Sequence, residues 1–262
     1  MTKTILITGS TDGIGLLTAQ TLAAEGHTIL LHGRNAAKLE AAAKTVGGAT
    51  EQYVADLSNM DDVHSLADRI RAKHSPIDVV INNAGVLKAP TTVTKDGYDI
   101  RFVVNTFAPY ALTQDLLPII AKDGRVVNLS SAAQAPIDLN ALHGRKKLND
   151  MDAYAQSKLA ITIWSHEMAK ALPDGPAIIA VNPGSLLASK MVKEGFGLAG
   201  NDLSIGANVL REAALGASFA TASGKYFDND SGRFAPPHSA AQDAAHSAAV
   251  MQAIQSVVTQ ET

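Results

Sequence analysis

Residues 4–15 read TILITGSTDGIG, an apolar, β-prone run that gives way at once to three glycines, Gly9, Gly13 and Gly15. A run without polar alternation suits a strand covered on both faces of a parallel sheet. Glycine straight after it accepts positive φ and keeps Cβ atoms away from anything that approaches the backbone. In an open α/β sheet the first strand-to-helix turn is where a phosphate docks, against the unpaired N–H groups and positive end of the next helix. The spacing is Gly-x-x-x-Gly-x-Gly, not Gly-x-Gly-x-x-Gly, and no Lys-Ser or Lys-Thr follows to make a P-loop. Taken alone, the turn also admits a second reading, a tight turn needed only for packing.

The rhythm repeats along the chain. Strand-like runs recur at 28–32, 51–55, 78–82, 125–129, 177–181 and 225–229. Helical spacing fills the intervals: a first helix ending at Gly26, then 36–48, 59–74, 99–122 and 152–172, with a last helix over 239–258. Such alternation implies βαβ units and a doubly wound, mostly parallel sheet. No linker rich in Pro, Gly or Ser divides the chain, so 1–262 reads as one domain. Two stretches break the pattern, 132–150 and 185–207, and both read as long irregular loops, the second as mobile. Long loops in α/β domains usually sit over an active site. DSGRFAPPHS, at 230–239, reads as an ordinary loop.

Composition narrows the function. The chain has 262 residues, 46% of them hydrophobic and 18% charged, and a net charge of −3. That balance offers no positive field for nucleic acid. With no cysteine, disulfides, thiolate nucleophiles and Cys-based zinc sites are excluded. No apolar run approaches the ~18 residues of a membrane helix, and the N-terminus lacks a signal-peptide layout. A cytoplasmic protein without membrane partners is expected. HEMAK, at 166–170, lacks the second His of a zinc-protease motif, and His143 with GRKK, at 144–147, reads as a solvated loop.

Five motifs occur in order: TGSTDGIG (8–15), NNAG (82–85), NLSS (128–131), YAQSK (154–158) and NPG (182–184). Together they resemble the short-chain dehydrogenase/reductase family over essentially the whole chain. The insert before Tyr154 and GKYFDND (224–230) look most like its retinol-dehydrogenase-like branch. The resemblance implies a Rossmann fold with three α/β/α layers and an oxidoreductase that interconverts a carbonyl compound and its alcohol.

Hydride transfer to a ketone leaves an alkoxide that a general acid must protonate. Tyr154 and Lys158 are four apart and share a helix face. An ammonium beside a phenol favours phenolate and lowers its pKa. The resemblance implies that Tyr154 is the acid/base, that Lys158 tunes it and bonds the nicotinamide ribose, and that Asn105 supports a proton relay. It assigns the carbonyl-polarising hydroxyl to Ser131, with Ser130 as competitor. It also puts cofactor contacts on Gly9, Ser10, Thr11, Asp12, Gly13, Ile14 and Gly15. Asp56 and Leu57 then border the adenine, Asn83, Ala84 and Gly85 the adenosine ribose, and Pro183 and Gly184 the nicotinamide. The family pattern has Thr five residues after that proline; here Ala188 stands there, with Ser189 next.

Cofactor choice turns on the end of the second strand, LLHGRN. Gly33 stands where an acid would bind a ribose diol, and Arg34 follows, matching a 2′-phosphate. NADP(H) in preference to NAD(H) is expected, with Asp12 the opposing signal. Apolar residues on more than one face of 99–120 and 152–172 suggest a homodimer or homotetramer, although a helix buried within a monomer looks the same. Leu186, Leu187, Met191, Phe196 and Leu198 suggest a partly apolar substrate. Competing readings are a non-catalytic NADP(H)-binding redox sensor, a nucleotide-sugar dehydratase or epimerase, and a Rossmann-like methyltransferase.

Overall fold

The computed structural model describes residues 1–262 except 189, 190, 192, 194, 196, 198, 261 and 262. Ile5, Leu6 and Ile7 are all fully buried, yet successive side chains of a strand point to opposite faces. Leu6 joins an apolar cluster with Leu30, Val80, Val126 and Ile178, while Ile5 and Ile7 join another with Ile29, Leu31, Ile81 and Val181. Helices therefore cover both faces of the sheet, which is why the strand runs lack polar alternation.

The strands are β1 (Thr4–Ile7), β2 (Thr28–Gly33), β3 (Thr50–Val54), β4 (Ile77–Asn82), β5 (Ile120–Leu129), β6 (Ala177–Asn182), β7 (Tyr226–Asp228) and β8 (Arg233–Ala235). Their order is β3-β2-β1-β4-β5-β6-β7-β8, parallel up to β7, with β8 antiparallel. Strand order reverses at β1, which pairs with both β2 and β4. A crevice opens beyond the carboxyl ends of the strands at such a reversal.

The helices are α1 (Gly13–Ala24), α2 (Ala36–Val46), α3 (Met60–Arg71), α4 (Ile100–Phe102), α5 (Ala108–Leu116), α6 (Leu139–Leu142), α7 (Asp150–Ala171), α8 (Leu203–Leu215) and α9 (Ala244–Gln260). A π-helical turn, Val103–Phe107, joins α4 to α5. One cluster lies under α3, α5, α7 and α9, the other under α1, α2 and α8.

Several expectations change, and α6 forms inside the 132–150 stretch expected as loop. Residues 120–122 belong to β5, because Pro118 ends the preceding helix in a short 3₁₀ turn, Leu117–Ile119. Residues 233–235, expected as loop, form β8; Phe234 lies 5.1 Å from both Phe219 and Phe227, and a strand of 3 residues shows no periodicity. The 185–207 stretch is not irregular throughout, since α8 starts at Leu203 behind the Asp202 N-cap. The last helix is shorter, because residues 239–242 are 3₁₀ and α9 begins at Ala244.

The apolar excess on α5 and α7 is accounted for within the chain. Val250, Ile254 and Val257 of α9 are at most 2% exposed and share a cluster with Tyr110, Leu112, Trp164 and Met168. No partner chain is needed to explain that second apolar face. Among the described residues, no helix is long and apolar enough to cross a membrane, and no group of His, Asp and Glu could hold a metal ion. Replacing Ile254 by Ala should cost about 3 kcal/mol of unfolding free energy. Replacing both Val250 and Ile254 by Asp should lower the unfolding midpoint further and yield larger species in sedimentation. An unchanged midpoint in denaturant titration would show that α9 contributes no core.

Candidate active site

The turn after β1 is built around atoms that are missing. A Cβ on Gly15 would stand 2.4 Å from Asn83 Nδ2 and 2.5 Å from Gly9 O, and one on Gly9 would stand 2.9 Å from Ala84 Cα. Gly9 and Gly13 have φ of 65° and 56°, in the left-handed region. Asn83 donates its amide to Thr8 O at 2.8 Å and Gly9 O at 3.0 Å. The Thr8 hydroxyl accepts from the N–H groups of Asn83 and Ala84 at 3.0 and 3.1 Å. The first and second motifs are thus one structure, stitched across the β1–β4 reversal.

On the β2 side, buried His32 braces the same turn. Its Nδ1 accepts from Gly9 N–H at 3.1 Å and its Nε2 bonds Ala55 O at 3.2 Å. Burial pushes its pKa down to about 4, so the ring stays neutral and keeps one acceptor nitrogen. Ser10 is buried too: its hydroxyl accepts from His32 N–H at 2.9 Å.

A cavity of about 550 Å³ opens over this turn. Its wall includes Gly9, Thr11, Asp12, Gly13, Ile14 and Gly15, continues through Gly33, Arg34, Asp56 and Leu57, and ends at Gly85, Tyr154, Lys158 and Pro183. Asp12 caps α1, accepting from Gly13 N–H at 2.7 Å. Asp56 is oriented by the N–H and hydroxyl of Ser58 at 2.9 and 2.8 Å. A Cβ on Gly33 would meet Thr11 Cγ2 at 2.5 Å, so an acid there requires Thr11 to move.

α7 starts at Asp150, two residues earlier than expected, behind the Asn149 cap. Tyr154 therefore sits a full turn inside, where the dipole has weakened. Lys158 is 4% exposed; its Nζ lies 5.6 Å from the Tyr154 ring centre and donates to Leu129 O at 2.7 Å. Burial raises the Tyr154 phenol above its ordinary 10, with a hydrogen bond from Ser131 pulling it partly back. The expectation that Lys158 holds this phenol low is not met: the same burial drives Lys158 down from 10.5 to about 8.

The two serines separate cleanly. Ser130 is 3% exposed, and its hydroxyl is hydrogen-bonded to Lys158 O at 3.0 Å and Thr162 Oγ1 at 2.6 Å. Ser131 Oγ accepts from Ala133 N–H at 3.1 Å and acts on the Tyr154 phenol by lowering its pKa, while it is Ser130 that lines the cavity. Asn105, in the π-helical turn, is bonded to both the N–H and the C=O of Val86 and to Ser157 Oγ, at 2.8, 3.0 and 3.0 Å. Its Oδ1 and Lys158 Nζ both face Gly85, 3.4 and 3.5 Å from where a Cβ would be.

The family model for short chain dehydrogenases matches residues 3–196. The chain belongs to the short-chain dehydrogenase/reductase family. It is 33% identical to human retinol dehydrogenase 13 over 251 residues, covering 86% of this chain and 76% of that one. Mouse retinol dehydrogenase 12 is 33% identical over 246 residues, covering 87% and 78%. These relatives put this short-chain dehydrogenase in the retinol-dehydrogenase-like branch. A solved structure of an uncharacterised protein from Mycobacterium paratuberculosis superposes with a TM-score of 0.82 at 30% identity, covering 98% and 93%. A short-chain dehydrogenase from Shigella flexneri, solved with NADP, gives 0.70 at 27% identity, covering 87% and 97%.

Several expected residues of this dehydrogenase stand behind the cavity wall instead of in it. Ser10 is turned into the sheet, Asn105 lies one layer back, and Ser131 is outside the lining, where Ser130 stands instead. Gly184, with φ 121°, lies in the loop beneath. That loop is latched by GKYFDND: Asp230 accepts from Ser185 N–H at 2.8 Å, and Asn182 donates to Asp228 and Asp230 at 2.8 and 2.9 Å. Ser189, Phe196 and Leu198 lie outside the described residues, and Leu187 is buried in the core. Sequence reasoning missed His32, Asn35 and Lys38, all of which line the cavity. Lys38 was readable one turn into α2, four residues after Arg34; His32 was hidden inside an apolar run.

Lys158 yields a stability test on the ligand-free protein. Its folded pKa of about 8 lies below the unfolded 10.5, so between those values only the unfolded chain holds the proton. The penalty is complete below pH 8 and fades as pH rises through that window. Relative to Lys158→Met, the wild type should gain up to about 3 kcal/mol on passing from pH 8 to 10.5, by denaturant titration. Parallel pH dependence in both proteins would contradict a buried, depressed amine.

Proposed function

We propose that this chain is an NADP(H)-dependent oxidoreductase that interconverts a carbonyl compound and its alcohol, with Tyr154 as general acid/base. The observation that carries the reading is one cleft with a phenol and a buried lysine at one end and two cations at the other. Arg34 and Lys38 both line the far end, and among the described residues neither side chain has a hydrogen-bond or ion-pair partner. Between them and Tyr154 lies a floor of bare backbone at Gly9, Gly15 and Gly85, and a Cβ at either of the first two would collide. A pyrophosphate fits that floor and a 2′-phosphate fits those cations. The solved relative crystallised with NADP supports the same choice.

Bound NADP(H) would supply or accept the hydride. Tyr154, whose phenol burial holds protonated at neutral pH, would give its proton to the oxygen that becomes the alcohol. Ser131 would donate a hydrogen bond to that same oxygen, polarising the carbonyl. Lys158, held by Leu129 O, would reach the ribose hydroxyls and, while charged, ease proton loss from Tyr154 in the reverse direction. Asn105 would hold the Val86 loop against Lys158 through its paired bonds. The chain would act as one dinucleotide-binding domain, with 185–207 over the substrate end. Met191 in the cavity wall and the exposed Leu186 suit a partly apolar substrate, in keeping with relatives named for retinol.

Tyr154→Phe should lower carbonyl reduction by about a hundredfold or more while NADPH still binds. Turnover that survives the change would remove Tyr154 from the mechanism, and a wild type that binds NADPH but reduces nothing in a panel of ketones, aldehydes and quinones would favour a sensor. Arg34→Ala should weaken NADPH by about 10–100-fold, as loss of a charge-assisted contact does, and NADH little. Lys38→Ala should shift the two in the same sense by less. Equal weakening of both nucleotides in fluorescence titration would mean that neither cation reads the phosphate.

A further inference from the structure

Arg101 is 1% exposed, and its guanidinium joins three separate segments. Nε donates to Leu87 O at 2.7 Å. One terminal nitrogen donates to both oxygens of Asp99, the α4 N-cap, at 3.1 and 2.9 Å. The other terminal nitrogen donates to Asp150, the first residue of α7. Leu87 lies two residues beyond Gly85, on the loop that forms the cavity wall after β4. Asp150 lies four residues, or about one helical turn, before Tyr154.

We propose that Arg101 is a positioning residue that sets the distance between the nucleotide-binding loop at 84–87 and the α7 turn that carries Tyr154. The role rests on the reading of Tyr154 as acid/base. A planar fork with donors in three directions suits it, because it ties a carbonyl and two carboxylates at fixed angles. Lysine offers a point charge and cannot hold all three in that geometry. Asn105 fixes the same loop at Val86 from the next turn of the same helical run, so the loop is held from two sides. Tyr154 itself has no direct contact with Arg101; the coupling runs through the start of α7.

The test uses Arg101→Lys and Asp150→Ala, with Asp152→Ala as control, since it removes a first-turn charge from α7 without touching Arg101. Arg101→Lys should raise hydrogen exchange in both 84–88 and 150–158 and lower kcat for carbonyl reduction by about 10–100-fold, with KM nearly unchanged, as misplacement by an ångström does. Asp150→Ala should raise exchange in 150–158 only and lower kcat, leaving the NADPH dissociation constant as in wild type. Asp152→Ala, which removes only the Asn149 contact at the α7 cap, should loosen 150–152 at most and leave 84–88 and kcat as in wild type. A lower melting temperature with wild-type kcat per folded molecule and wild-type exchange at both segments would overturn the proposal, as would equal effects of Asp150→Ala and Asp152→Ala. Should the wild type reduce no carbonyl at all, the proposed activity fails, while the exchange data still decide whether Arg101 straps the two segments together.

Discussion

The contact between the β1 turn and Asn83 constrains everything around it. With 2.4 Å between Asn83 Nδ2 and the place where a Gly15 Cβ would be, the turn and the end of β4 can close only through a bare backbone. That closure serves two ends at once. It brings β1 and β4 together at the strand reversal, and it leaves a row of backbone with no side chains, across which a pyrophosphate can lie. Thr8, His32 and Asn83 bond the backbone of the turn on both sides, so the cradle is held together before any ligand arrives.

Burial, more than charge pairing, sets the electrostatics at the other end of the cleft. Tyr154 and Lys158 occupy the same poorly solvated wall, and each is pushed towards its neutral form. The ammonium is engaged by Leu129 O and stands beside the ring instead of at the hydroxyl. The hydroxyl answers to Ser131. In the ligand-free protein the phenol therefore keeps its proton at neutral pH, and Lys158, lowered only to about 8, keeps its charge there.

Outside the cleft, the C-terminal helix and the β7–β8 hairpin do local work that a pattern of strands and helices does not convey. α9 packs on α7, α6 and the π-helical turn and shares a buried cluster with α5, so their all-round apolarity is an internal matter. The hairpin carries Asp228 and Asp230 to the loop after β6 and fixes Ser185 at the start of the 185–207 stretch. Arg101 plays the matching part on the opposite side, between the loop after β4 and the start of α7.

The sequence by itself determined the class of fold, the first seven strands, the glycine turn and the five motifs, because each is written in local periodicity or in residues only a few positions apart. It also placed Tyr154 and Lys158 on one helical face. Tertiary structure decided the rest. That the Ser130 hydroxyl is consumed depends on Lys158 O and Thr162, which lie about thirty positions away. The upward shift of the phenol depends on solvent exclusion by several elements at once. Ser10 reads as part of the nucleotide turn until β2 takes its hydroxyl, and Lys38 and His32 join the cleft only because β2 and α2 lie beside β1. Spacing along a chain encodes which face a side chain takes, but burial and partnership are properties of segments that meet only after folding.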